Sequence, residues 1–153
     1  MSIIINQEMY TQIQVALIND NLDFIKDLIK QKYNINQVLF PRANKNSILI
    51  EAVSYAAHNC IKFLLDNGAN ANYEPYKDPL IFFATRVAAN RGALNIVEIL
   101  INNGVKLNGT DWRNLNILES LEFNLTNFKS GIINAPYYNQ VVELIERHLK
   151  IAK

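Results

Sequence analysis

His58 and Cys60 stand two residues apart, the one place in the chain where a base and a thiol are close in sequence. A cysteine nucleophile needs a base within hydrogen-bond reach to raise its thiolate fraction. Two positions along a helix point about 200 degrees away from each other, so this pair is badly placed for that task. Cys60 falls at an apolar helix position and reads as a small buried hydrophobe. His58 reads as a surface or helix-start histidine. His148 sits beside Arg147 and Lys150 in the last turn of a terminal helix, where positive charge complements the helix dipole. Glu8, Glu51 and Glu119 have no helical spacing to one another that would make an acid and base pair. The chain has no Gly-rich phosphate loop, no paired cysteine spacing, no His-Glu-x-x-His and no nucleophile elbow. These residues therefore predict no catalysis, no cofactor and no metal centre.

The elements that hold these residues repeat. Phe24-Ile25-Lys26-Asp27-Leu28-Ile29 recurs as Cys60-Ile61-Lys62-Phe63-Leu64-Leu65 and as Ile96-Val97-Glu98-Ile99-Leu100-Ile101, at a period of 36 residues. Lys32, Gly68 and Gly104 share that register, as do Asn36, Asn72 and Asn108, and Ala16, Ala52 and Ala88. In each copy apolar residues at i, i+3 and i+4, such as Ile61, Leu64 and Leu65, place one stripe on one helical face. Asn67-Gly68 and Asn103-Gly104 then stop the helix, because glycine takes a left-handed conformation without steric cost. Upstream, Ala52, Ala56 and Ala57, or Ala84, Ala88 and Ala89, mark a shorter helix with small side chains that admit a close neighbour. One such hairpin cannot bury its own stripe, so the pattern predicts stacked hairpins.

These residues resemble the ankyrin repeat. Ile61-Lys62-Phe63-Leu64-Leu65-Asp66-Asn67-Gly68-Ala69-Asn70-Ala71-Asn72 is similar to the family's second helix with its Gly-Ala-x-x-Asn exit. Ala88-Ala89-Asn90-Arg91-Gly92-Ala93-Leu94-Asn95-Ile96-Val97 is similar to its Ala-Ala-x-x-Gly-His-x-x-Ile-Val core. The resemblance implies an all-α solenoid of helix-turn-helix hairpins joined by finger-like β-turns, a single domain over residues 1–153 with repeats near 5–36, 37–72, 73–108 and 109–150. The last repeat takes its second helix from the stripe Val141, Val142, Leu144, Ile145 and Leu149. The family period is about 33, so roughly three extra residues fall in the fingers or at the start of the first helix. The family's Thr-Pro-Leu-His opening is present only as Ser47-Ile48-Leu49-Ile50 and Asn116-Ile117-Leu118-Glu119, and in the third repeat Asp78 at the N-cap with Pro79 at N1 is expected to open an extended helix. Loss of the family histidine removes one tie between consecutive loops. Phe123 to Pro136 reads as a loop inserted between the helices of the fourth repeat.

The resemblance also implies a contact surface made of the fingers and the exposed face of the first helices. Asp111-Trp112-Arg113-Asn114-Leu115-Asn116-Ile117-Leu118 resembles the family's Asp-x-x-Gly-x-Thr-Pro-Leu turn, in which Trp112, Arg113 and Leu115 take variable, outward positions. One period before Trp112 stands Tyr76, and one before that Phe40. An aromatic at equivalent places in three fingers suits hot-spot contacts, since a rigid ring buries much area at low entropic cost. Arg42 and Lys77 lie beside this row, with Arg86, Glu74, Asp78 and Asp111 making the edge one of mixed charge. Phe40, Arg42, Tyr76, Lys77, Trp112, Arg113 and Leu115 are therefore the expected partner contacts, with Tyr55, His58 and Arg91 behind them. The plainer alternative is that the rings pack on neighbouring fingers and the charges form a solvated face.

Composition narrows the partner class. Fifteen basic against fourteen acidic residues give a net charge of +1, which favours neither nucleic acid nor a membrane surface. The start Met-Ser-Ile-Ile-Ile-Asn is not a secretory signal, a lone cysteine allows no internal disulfide, and no apolar run nears the roughly 18 residues that span a bilayer. A cytoplasmic protein that binds another protein and does no chemistry is the expectation. A small immunity or antitoxin protein and a host-directed effector are narrower versions of it. A self-assembling structural protein is the other class, through Ile3-Ile4-Ile5 and Tyr137-Tyr138. Lys26, Lys30 and Gln31 at one end and Glu143, Glu146, Arg147 and Lys150 at the other are polar caps that favour a monomer.

Overall fold

The computed structural model describes residues 3–39, 44–74, 76–126 and 135–151. Among them are eight α-helices and one isolated bridge, between Val38 and Ser47. The chain divides into two compact units, Met1–Ala71 and Asn72–Lys153, a boundary that falls within a residue of the join between the second and third copies of the sequence period.

The first unit holds α1 (Gln7–Ile18), α2 (Leu22–Lys30), α3 (Ile48–Ser54) and α4 (His58–Asp66). Helix α1 starts where Asn6 accepts the Met9 N–H at 2.8 Å, satisfying one of the donors a helix start leaves open. Helices α1 and α2 form one hairpin and α3 and α4 the next, with α3 against α1 and α4 against α2. Ile13, Leu17, Ile25, Leu28, Ile48, Leu49, Ile61 and Leu64 fill the space between them. Cys60 is fully buried in that core, and burial pushes its thiol up to about 12, so it is a packing residue.

Two polar ties join the successive hairpins. Helix α4 begins at an Ala57 cap with no side-chain hydrogen bond. Asp20, held at φ 48 in the α1–α2 turn, supplies the cap instead and accepts the N–H groups of Asn59 and Cys60, each at 3.0 Å. Farther along, Asn36 accepts the Asn70 N–H at 2.7 Å and donates to the Gly68 carbonyl at 3.1 Å. Asn36 thus ties the loops that follow α2 and α4. In the finger, Leu39 donates to the Asn46 carbonyl at 2.9 Å. Phe40 and Arg42, two of the expected partner contacts, lie outside the described residues.

The second unit holds α5 (Leu80–Arg91), α6 (Leu94–Asn102), α7 (Ile117–Thr126) and α8 (Tyr138–Ile151). Helix α5 is the hub and packs against α6, α7 and α8. Its Leu80, Ile81, Phe82, Ala84, Val87, Ala88 and Ala89 are all buried, so it is apolar nearly all round, as a central helix must be. Helix α5, at 12 residues against 9 for α6, is the extended helix expected to open the third repeat and not the shorter one that Ala84, Ala88 and Ala89 marked. The expectation for its cap changes. Pro79 is itself the cap residue, and Asp78 makes no cap bond; its carboxylate takes both terminal nitrogens of Arg86.

Helix ends follow the glycine pattern. Gly68 and Gly104 have φ of 90° and 82°, and Lys32 holds the same place at 64° with a side chain to accommodate. Gly92 ends α5 at φ 75°, and a Cβ there would lie 2.8 Å from the Tyr137 ring. Tyr137 also donates its N–H to the Ala89 carbonyl at 3.1 Å. Tyr137, half of the pair expected to serve end-to-end stacking, thus packs on Gly92 of its own unit while staying 39% exposed. The inserted loop is also shorter than expected, because α7 carries Phe123 to Thr126 within the helix. Of the rest of that stretch, 127–134 lies outside the described residues.

Candidate functional site

The best-defined surface feature is the turn that leads into α7. Asp111 accepts the N–H groups of Arg113 at 2.8 Å and Leu115 at 3.1 Å through one oxygen, while Asn114 turns the chain at φ 64°. An aspartate that bonds its own backbone two residues on is a standard way to fix a turn. Its other oxygen takes Nε of Arg113 at 3.0 Å, Nη2 of the same guanidinium, and the Ser120 hydroxyl at 2.9 Å. Nη2 also donates to Ser120 at 3.2 Å. Burial works to raise the Asp111 pKa, but these hydrogen bonds, led by Arg113, outweigh it and hold the carboxyl down to about 2. Asn116 then opens α7 by accepting the Leu118 and Glu119 N–H groups at 3.0 Å each, and Glu119 reaches back to the Asn116 N–H at 2.9 Å, a complete capping box.

Two aromatic rings rest on this scaffold. The Arg113 guanidinium lies 5.1 Å from the Trp112 ring centroid and 4.2 Å from that of Phe123. A guanidinium over a ring face is attracted by the ring quadrupole, more so where water is partly excluded. Trp112 nevertheless leaves 67% of its surface exposed and Phe123 43%. The result is an open apolar patch on a rigid polar base.

Each expected contact residue has a distinct outcome. Trp112 is exposed as the turn pattern implied. Arg113 is not the outward contact expected: its side chain is only 15% exposed and is consumed by the buried Asp111. Leu115 is half-buried. Tyr76 is 55% exposed and Lys77 is exposed at φ 52°, in the turn before α5. Arg86, near that turn, is held by Asp78 and lies 5.5 Å from the Phe83 centroid. Phe123 and Ser120 were missed. Their signal was the capping box at Asn116 and Glu119, which starts a helix whose i+4 and i+7 positions bring Ser120 and Phe123 onto the face of the cap.

Among the described residues no group of three or more His, Cys, Asp or Glu could hold a metal ion. No described helix is long and apolar enough to cross a membrane.

With hairpins, glycine stops and finger turns in place, comparison with known proteins defines the class. The ankyrin-repeat profile matches residues 13–111 in three copies, and the chain belongs to that family. Among solved structures, the human ASB11 ankyrin repeat domain is similar, with a TM-score of 0.60 and 19% identity over 87% of this chain and 52% of that one. The chain thus spans about half the length of that domain. No curated protein matches it in sequence. Ankyrin repeats are protein-protein interaction modules, and the chain carries the fold and the repeat signature of one.

Proposed function

We propose that the chain binds a partner protein without catalysis, and that Trp112 with Phe123, together with Tyr76, provides the contact surface of its second unit. The observation that carries this reading is the combination of exposure and order at Trp112. Trp112, two-thirds exposed, shares Arg113 with the exposed Phe123 in one apolar patch over polar groups, and the backbone beneath it is pinned by a buried carboxylate. Preorganised aromatics make good anchors because little freedom is left to lose on binding. Arg113 supports the ring and supplies no free charge, so apolar burial and not ion pairing dominates at this point.

The test is capture from the source organism's lysate by the wild-type protein and by a Trp112→Ala, Tyr76→Ala double variant of unchanged helicity. A protein retained by wild type and lost by the variant supports the surface. Equal retention by both places the contact elsewhere.

A further inference from the structure

Among the described residues, one buried carboxylate of the first unit is hydrogen-bonded by neutral groups and paired with no cation. Glu51, on α3, is 5% exposed. Its Oε1 accepts from Asn46 Nδ2 at 2.8 Å and from the Tyr10 hydroxyl at 3.4 Å. Gln14 of α1 donates to the hydroxyls of Tyr10 at 3.1 Å and Tyr55 at 3.3 Å, and Asn44 donates to Tyr10 at 3.4 Å. Among the described residues no Lys, Arg or His forms an ion pair with Glu51, and its Oε2 takes no hydrogen bond. One period to either side, the same register holds Val15 and Val87, so a charged side chain here departs from the chain's own pattern.

Removing a carboxylate from water is costly, and neutral donors offset only part of that cost. A glutamine at this position would accept both of the existing hydrogen bonds with no charge to desolvate. What the carboxylate adds is the capacity to pair with a cation, and its second oxygen is unused. The surrounding groups fit the same use: two tyrosine hydroxyls and the Gln14 side chain, from the first helices of two successive hairpins, stand around one acidic centre.

We propose that Glu51, framed by Tyr10, Gln14 and Tyr55, is a receptor for a single cationic side chain, an arginine or lysine head presented by the partner protein. The proposal rests on the reading of the chain as a protein-binding module and adds a second, chemically different contact in the first unit. The partner then carries a basic residue that becomes buried on binding. Such a contact acts mainly on complex lifetime and specificity, since a wrong partner would leave the carboxylate unpaired.

The experiment titrates the whole chain, isotopically labelled, with N-acetyl-arginine methylamide and, separately, with its leucine analogue, following the Glu51 carboxyl and the Tyr10 and Tyr55 rings by NMR. The expected result is a saturable shift at these three residues with the arginine probe, none with the leucine probe, and a response weakened by about tenfold or more in E51Q. E51Q keeps the acceptor for Asn46 and Tyr10, so its fold is preserved, which circular dichroism verifies. Glu51→Asp, which keeps the charge, should retain part of the response. Shifts at Glu51 no more saturable than those at the exposed Asp23 and Glu98, or an unchanged response in E51Q, overturn the proposal. Neither outcome bears on capture through Trp112, which lies in the other unit.

Discussion

Replacing Asp111 by Asn isolates the charge that organises the Trp112 turn. Asn keeps the shape and one oxygen for the Arg113 and Leu115 N–H groups, but it loses the anionic oxygen that takes Arg113 Nε, Nη2 and the Ser120 hydroxyl. The Asp111 carboxyl lies near 2 in the folded protein against 3.8 for the free group. At 1.36 kcal/mol per pH unit, that difference corresponds to about 2 kcal/mol of stability at neutral pH. Because the folded value is the lower one, the contribution is complete above the ordinary carboxylate range and disappears as pH falls toward 2, with about half of it gone by pH 3. The assay is urea unfolding of wild type and D111N at pH 7 and pH 3, followed by circular dichroism. Trp112, the single tryptophan, gives a local signal alongside. D111N should be less stable by about 2 kcal/mol at pH 7 and by about 1 kcal/mol at pH 3, with a shifted Trp112 emission in the folded state. A gap that is the same at both pH values, or that is absent at pH 7, would refute the electrostatic account of the turn.

Three further perturbations probe the frame. Asp20→Ala removes the cap that one hairpin lends to the next and should cost about 1–2 kcal/mol in urea unfolding. Hydrogen bonds to the α4 N–H groups overcome burial and lower the Asp20 pKa, so this loss too should be largest above the carboxylate range and shrink on acidification. Gly92→Ala puts a Cβ into the Tyr137 ring at a left-handed position and should lower stability by about 2–3 kcal/mol; in a Tyr137→Ala background calorimetry should find a smaller loss. Lys32→Gly relieves the one left-handed helix end among Lys32, Gly68 and Gly104 that carries a side chain, and should raise stability by about 1 kcal/mol.

The hairpins were legible because their determinants are local and periodic. Ile25, Ile61 and Val97 share one register and are all fully buried, and Gly68 and Gly104 are left-handed where the pattern required it. What the sequence concealed are bonds between residues far apart in it. Asp20 reads as an ordinary turn residue until its reach to Asn59 and Cys60 is seen. Asn36 sits in a repeated register, but its partners 32 and 34 residues onward are set by how the hairpins stack. At the candidate site the exposed Trp112 and Tyr76 followed from the turn pattern. Arg113 did not, because its inward course depends on Ser120 and Phe123, and Phe123 had been placed in a loop when α7 extends through it. Asp78 was read as a cap from its neighbour Pro79, whereas a basic residue eight positions on, about two helical turns away, takes its carboxylate.

The central claim is that a protein partner docks on the Trp112 surface. Its most direct test places a photoreactive benzoylphenylalanine at position 112 and, in a second variant, at the exposed Glu98, and irradiates each in the source cells. One discrete cross-linked protein from position 112 and none from position 98 is the result expected. No cross-link from position 112, or the same products from both positions, would contradict the claim.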